Sequence, residues 1–125
     1  MKAWIGRWLT VVGVLHSAFA VLIMKPVFPT ILERGVIDSV GNEALIGAPV
    51  WFMLFSFPLL TTGLAISALE KSRADIPKST GWLLLLMCAV GAALFPASGF
   101  WLAIPAGIAI LVRKPARSKL SMTPA

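Results

Sequence analysis

Apolar residues along this chain fall in long runs, without the strict alternation of a half-buried strand or the single stripe of a soluble helix. The first run extends from Trp4 to Met24, the second from Pro49 to Leu69, the third from Thr80 to Phe95 and the fourth from Phe100 to Val112. A bilayer-crossing helix takes about 20 such residues, within a range of about 17–25. The first two runs meet this. The third and fourth, joined only by PASG, reach roughly 24 and 20 Å at about 1.5 Å per residue, short of the ~30 Å hydrocarbon core. Either each gains a turn at its Lys/Arg end, or the FPASGF hairpin stops inside one leaflet. The second is the expectation here, and backbone at that depth has to be covered by protein or water.

The pattern therefore predicts an all-α membrane protein, a four-transmembrane-helix bundle forming one domain over residues 1–125. Its segments are 4–24, an outer loop 25–48, 49–69, an inner loop 70–79, 80–95, 100–112 and a basic tail 113–125. Pro49 is expected at the first position of the second helix, and Pro58 is expected to kink it. Ala18-Phe19-Ala20 has the form of a signal-peptidase site, but apolar residues continue through it to Met24, so the first helix is expected to be retained. Within the outer loop, Phe28, Ile31, Leu32, Val36, Ile37 and Val40 recur at near-helical spacing opposite Glu33, Arg34 and Asp38. That is an amphipathic segment, broken at Gly35, lying on the outer leaflet or covering the hairpin as a lid.

Small residues mark helix contacts in lipid, where close backbone approach replaces the hydrophobic effect. Gly6, Thr10, Gly13, Ser17 and Ala20 form one stripe on the first helix, opposite Trp4, Trp8, Leu15 and Phe19. Ser56, Gly63 and Ser67 form a second seam, Cys88 and Ala92 a third, Ala103 and Gly107 a fourth.

Composition agrees: 58% of residues are hydrophobic and 13% charged, where soluble chains carry about 25% charged. The four runs leave no length for a separate soluble head. A formal charge of +6 is compatible with nucleic-acid binding, but the placement of the charges argues otherwise. Nine of the eleven cations share one side of the predicted topology: Lys2, Arg7, Lys71, Arg73, Lys78, Arg113, Lys114, Arg117 and Lys119. Only Lys25 and Arg34 lie on the other. By the positive-inside rule both termini are cytoplasmic, and the tail RKPARSK becomes a contact for anionic headgroups, worth about 1 kcal/mol per charge near the surface.

Candidate chemistry begins with His16, the sole histidine. It lies about 18 Å down the first helix from Trp4, near the midplane, beside the small-residue stripe and so facing the bundle. An ionisable group at that depth is a functional-site hypothesis by default. Its candidate partners are Ser56, Thr61 or Thr62, Cys88 and Ser98, since no acidic residue lies within the four runs. A neutral imidazole can grip a carbonyl or hydroxyl of a lipophilic ligand. It becomes a general acid/base if Glu33, Asp38 or Glu43 dips in from the loop, and it only fastens the bundle if it bonds a neighbouring carbonyl or hydroxyl. The lone Cys88 excludes an intrachain disulfide, and no Cys/His cluster has metal-ligand spacing. His16 with Met24 or Met53 offers no haem or copper spacing, so no metal or cofactor is expected. The five tryptophans lie near helix ends, as interfacial anchors do.

The stretches GRWLTVVGVLHSAFA, GAPVWFMLFSFPLLTTGLAI, PKSTGWLLLL and above all PASGFWLAIPAGI resemble a family of small bacterial four-helix membrane proteins catalogued as a domain of unknown function. The resemblance covers roughly Ile5 to Val112. It implies a multi-pass protein of the bacterial inner membrane with this topology, and it supplies no substrate. The expected function is binding of a lipophilic small molecule or lipid in a cavity lined by His16, Ser56, Ser98 and Trp101. The alternative is an isomerase or hydrolase using His16 with Glu33 or Asp38; further ones are a small transporter, necessarily homo-oligomeric, and an accessory subunit of a membrane complex.

Overall fold

Pro58 has no N–H to offer the carbonyl of Leu54, and its ring crowds that carbonyl. The helix around it breaks one turn upstream, at Phe55, in the computed structural model, which describes residues 3–115. Over those residues the chain is helical, with no strand. Helix α1 is Ile5–Met24, α2 is Phe28–Glu33, α3 is Ala44–Leu54, α4 is Ser56–Lys71 and α5 is Lys78–Leu94; a 3₁₀ turn, Gly99–Ala103, leads into α6, Ile104–Val112.

The second segment is longer than its apolar run at both ends. It starts at Ala44, five residues before the expected Pro49, so Pro49 sits inside α3 and not at its first position. A proline so close to a helix start removes only one ladder bond. At the far end α4 continues through Glu70 to Lys71. Over 25–43 the outer segment is helical only in α2, with no buried residue there. Gly35 ends it at φ +77°, and turns follow in which Asp38 and Gly41 also take positive φ. Val36 and Ile37 are exposed on this stretch.

Helices α1 and α4 form the main seam. A Cβ on Gly63 would fall 2.6 Å from the Thr10 backbone nitrogen, one on Gly6 would meet the Ser67 backbone, and one on Gly13 would come 2.8 Å from Leu60. The two helices therefore touch through main chain, as the small-residue stripes require. α5 and α6 pair similarly, with Leu111 over Gly81 and Leu85 over Gly107, and the Phe100 ring closes the hairpin against Gly91. Cys88, Ala92, Ala103 and Gly107 are all buried. The Trp8 indole donates to the Leu102 carbonyl at 2.7 Å, which fixes the start of the fourth segment to the second turn of α1. The core gathers around Ile5, Leu9, Ile66, Cys88, Ala106 and Ile110, toward the end where α1 begins and α4 ends.

Among the described residues, two helical stretches are long and apolar enough to cross a membrane: Ile5–Met24 and, counted across the break, Ala44–Lys71. α5 and Gly99–Val112 are shorter apolar helices. Lys2, Arg117 and Lys119, invoked above for the basic face and tail, lie outside the described residues.

Candidate functional site

His16 stands on α1 across from the end of α3. Its ring stacks on Phe52 at a centroid distance of 4.2 Å, meets Phe55 edge-on at 5.8 Å, and its Nε2–H donates to the Phe52 carbonyl at 3.0 Å. A carbonyl can only accept, so this bond assigns the neutral ring's proton to Nε2. The acceptor is available because α3 ends at Leu54: carbonyls in a helix's last turn lack in-helix donors. A neighbouring helix re-satisfying backbone freed by a proline is what permits such breaks in an apolar setting. His16 is half-buried, and among the described residues no carboxylate hydrogen-bonds it.

Ser56 begins α4 on the same turn. It is 5% exposed, yet among the described residues its hydroxyl has no hydrogen-bond partner. Its neighbours behave differently. Thr10, Ser17, Thr61 and Thr62 each donate to the carbonyl four residues back, at 2.8–2.9 Å. The carbonyl four residues before Ser56 is that of Phe52, the one taken by His16. Ser56 lines a partly open groove of about 260 Å³ with Ser17, Val21, Met53, Phe57 and Leu60. Its walls are almost wholly apolar, and the Ser17 hydroxyl is already spent on Gly13.

The remaining predicted site residues stand elsewhere. Glu33 and Asp38 are exposed on the outer segment. Glu43 is engaged by Arg34 in an ion pair at 2.5 Å, whose hydrogen bond and charge raise the guanidinium's pKa above its ordinary value. The hairpin residues Ser98 and Trp101 do not line the groove. The Ser98 hydroxyl is buried without a partner at the cap position of the 3₁₀ turn, while the exposed Trp101 indole donates to the Pro96 carbonyl at 2.8 Å. Of the four residues expected to line one cavity, only Ser56 lines the groove; His16 bonds the Phe52 carbonyl one turn before it, and the hairpin pair stands apart. Among the described residues no three His, Cys, Asp or Glu side chains gather to hold a metal.

One polar centre went unnoticed in the sequence. Glu70, with a side chain 1% exposed, accepts from the Gly6 backbone N–H at 2.8 Å through Oε2 and from the Arg113 guanidinium at 2.9 Å through Oε1. Gly6 is the second residue of α1, so the carboxylate caps an orphan donor and sits at the positive end of that helix's dipole. The signal was present. Ser56, Leu59, Gly63, Ile66 and Glu70 are the buried positions of α4, and their three-and-four spacing carries the inward stripe onto the glutamate. Nearby, the Lys78 ammonium donates to the carbonyls of Ile110, Leu111 and Arg113, closing the end of α6. A second concavity, about 230 Å³, opens beside it among Asp75, Pro77, Lys78, Arg113 and Lys114.

No curated protein and no solved structure matches the chain. Residues 1–117 match a family of unknown function, DUF6463, and the chain belongs to that family.

Proposed function

We propose that this chain is an integral membrane protein of four crossings that holds an uncharged lipophilic molecule in the groove beside Ser56. The observation that carries the binding reading is an almost wholly apolar groove of about 260 Å³ with Ser56 in its wall, whose hydroxyl is buried and unpartnered. A buried polar atom left unsatisfied costs roughly 1–3 kcal/mol, so an occupant toward whose acceptor the hydroxyl rotates recovers part of that cost.

The membrane reading rests on what the helices turn outward. Val14, Leu15, Phe19 and Leu22 of α1, Leu64 of α4, and Trp82, Leu83, Leu86 and Leu94 of α5 are all more than half exposed. A soluble monomer rarely exposes apolar patches beyond a few hundred Å², and acyl chains are the solvent such a surface suits. Glycines, serines and threonines instead occupy the α1–α4 contact. The uneven division of Lys and Arg supports cytoplasmic termini. In that frame α5, at about 26 Å of rise, stops short of a full crossing, and the Trp8–Leu102 bond fits a hairpin drawn inside the leaflet. The binding reading is preferred to acid/base catalysis because the imidazole's bond goes to a main-chain carbonyl and not to a carboxylate.

Native mass spectrometry of protein released from lipid nanodiscs tests this. Wild type is expected to carry one species enriched over the bulk lipid, and Ser56→Leu, which fills the groove, is expected to lose it. Bulk lipid alone on both proteins overturns the proposal. Extraction by alkaline carbonate, leaving the chain in the pellet, is the expected result for the membrane half of the reading; release into the supernatant overturns that half.

A further inference from the structure

We propose that the concavity between the start of α5 and the end of α6 is a site for the phosphodiester headgroup of an anionic phospholipid, held by Arg113 and Lys114. The site depends on the membrane half of the reading above and is independent of the groove beside Ser56.

Two of the cations on its wall are held in place before anything binds. The Arg113 side chain is only 14% exposed, and its Nη1–H donates to Glu70 at 2.9 Å. A guanidinium offers five N–H donors in a fixed fork, and its Nε–Nη2 edge fits two phosphate oxygens at once. Lys78 is fixed by the carbonyls of Ile110, Leu111 and Arg113. Those carbonyls form the negative end of the α6 dipole, which would repel an anion; the ammonium offsets them. Lys114 stands exposed beside this pair, where the chain leaves α6 with Arg113 extended. Cations anchored in this way have little rotamer freedom left to lose when a ligand arrives.

Charge balance sets the chemistry of the occupant. Lys78, Arg113 and Lys114 share the wall with a single carboxylate, Asp75, which is itself engaged. With Glu70 behind Arg113 counted as well, one positive charge is left over. A phosphodiester carries one negative charge and closes that balance. A zwitterionic headgroup brings an ammonium of its own back to the site and gains less. Apolar surface decides between a lipid and a free phosphate. Trp82, Leu83 and Leu86 of α5 and Ile108 and Val112 of α6 are exposed on the two helices that meet at the concavity. Acyl chains have a path along them, and a free anion has no use for it. In the four-crossing frame this end lies at the cytoplasmic interface, at headgroup depth.

Two probes with the same diazirine-bearing acyl chain test this, one a phosphatidylglycerol and the other a phosphatidylcholine. Each is a minor component of phosphatidylcholine vesicles containing the full chain, and labelling is read on residues 82–86 and 108–112. Wild type is expected to favour the phosphatidylglycerol about fivefold, the weight of one cation near a charged headgroup. Lys114→Glu is expected to erase the preference and Lys114→Arg to keep it. Arg7→Glu makes the same change in net charge on the same predicted face, outside the concavity, and is expected to keep most of it. Equal labelling of wild type by both lipids overturns the inference and leaves the membrane reading intact. A preference lowered as much by Arg7→Glu as by Lys114→Glu also overturns it, since the cationic face as a whole would then attract the lipid. Loss of the preference on adding inorganic phosphate, but not sodium chloride of equal ionic strength, assigns the site to a free anion and overturns the lipid. No labelling of either segment by either probe overturns the membrane reading along with the site.

Discussion

The two halves of this all-helical molecule solve the same problem in opposite ways. Each contains helix ends whose backbone groups have lost their in-helix partners. At the end where α1 starts and α6 finishes, charged side chains close the account. Glu70 takes the Gly6 N–H and the Arg113 guanidinium, and Lys78 covers three carbonyls. In the other half the break at Phe55 is patched by one imidazole, and a hydroxyl one residue on is left over. Saturation makes the first half a clamp. Incomplete satisfaction, next to open apolar volume, makes the second the place where an uncharged ligand has something to gain.

The sharpest way to break the contrast is to empty the clamp. Glu70→Ala is expected to cost about 2–4 kcal/mol, because it removes a charge-assisted bond to the partly buried Arg113 and uncaps α1. The check is the midpoint of reversible unfolding in mild detergent. Glu70→Gln separates the two contributions: the amide oxygen can still accept from Gly6, so a smaller loss is expected, and the difference measures the Arg113 pair. If both variants unfold as wild type does, the clamp is not what holds this end together.

Next in size is the main-chain seam of α1 and α4, at its clamp end. Gly6→Ala places a Cβ against the Ser67 backbone, where no flexible side-chain end can give way. Overpacking of this kind costs roughly 1–3 kcal/mol. An equal loss is not expected for Gly35→Ala, which meets nothing within 4 Å and is strained only by its positive φ. Lys78→Met should then cost about 1 kcal/mol through the lost charge at the C-terminus of α6. Lys78 is exposed, which keeps the effect small. Faster amide exchange at Arg113, whose N–H caps the Ala109 carbonyl, is the local readout that places the loss at this end of α6.

How much of this was legible in the residues depended on whether a signal was periodic or singular. The stripe Gly6, Thr10, Gly13 and Ser17 predicted the α1 face that α4 packs against, because three-and-four spacing is a property of the helix itself. The inward direction of His16 was readable on the same ground. Its acceptor was not, since every residue carries a carbonyl and only a break makes one available. Pro58 announced that break without stating that it would fall at Phe55. Glu70 was passed over because an apolar run is counted up to its first charge, whereas the buried face of α4 continues through it. Pro49 misled in the other direction: proline is favoured at a helix start, and here the helix had already begun at Ala44.

The smallest expected effect is the most discriminating, because its sign separates the halves. Ser56→Ala removes a hydroxyl that has no partner, so the apo protein should become slightly more stable, by about 0.5–1 kcal/mol. Ser17→Ala, one helix away on the same groove, removes a hydroxyl that bonds Gly13 and should be neutral or slightly destabilising. Measured side by side in ligand-free detergent, only Ser56→Ala is expected to raise the unfolding midpoint. A loss of stability in Ser56→Ala would mean that the hydroxyl is already bonded in the apo protein. The two halves would then be equally saturated, and the groove would have no unspent donor to offer a ligand.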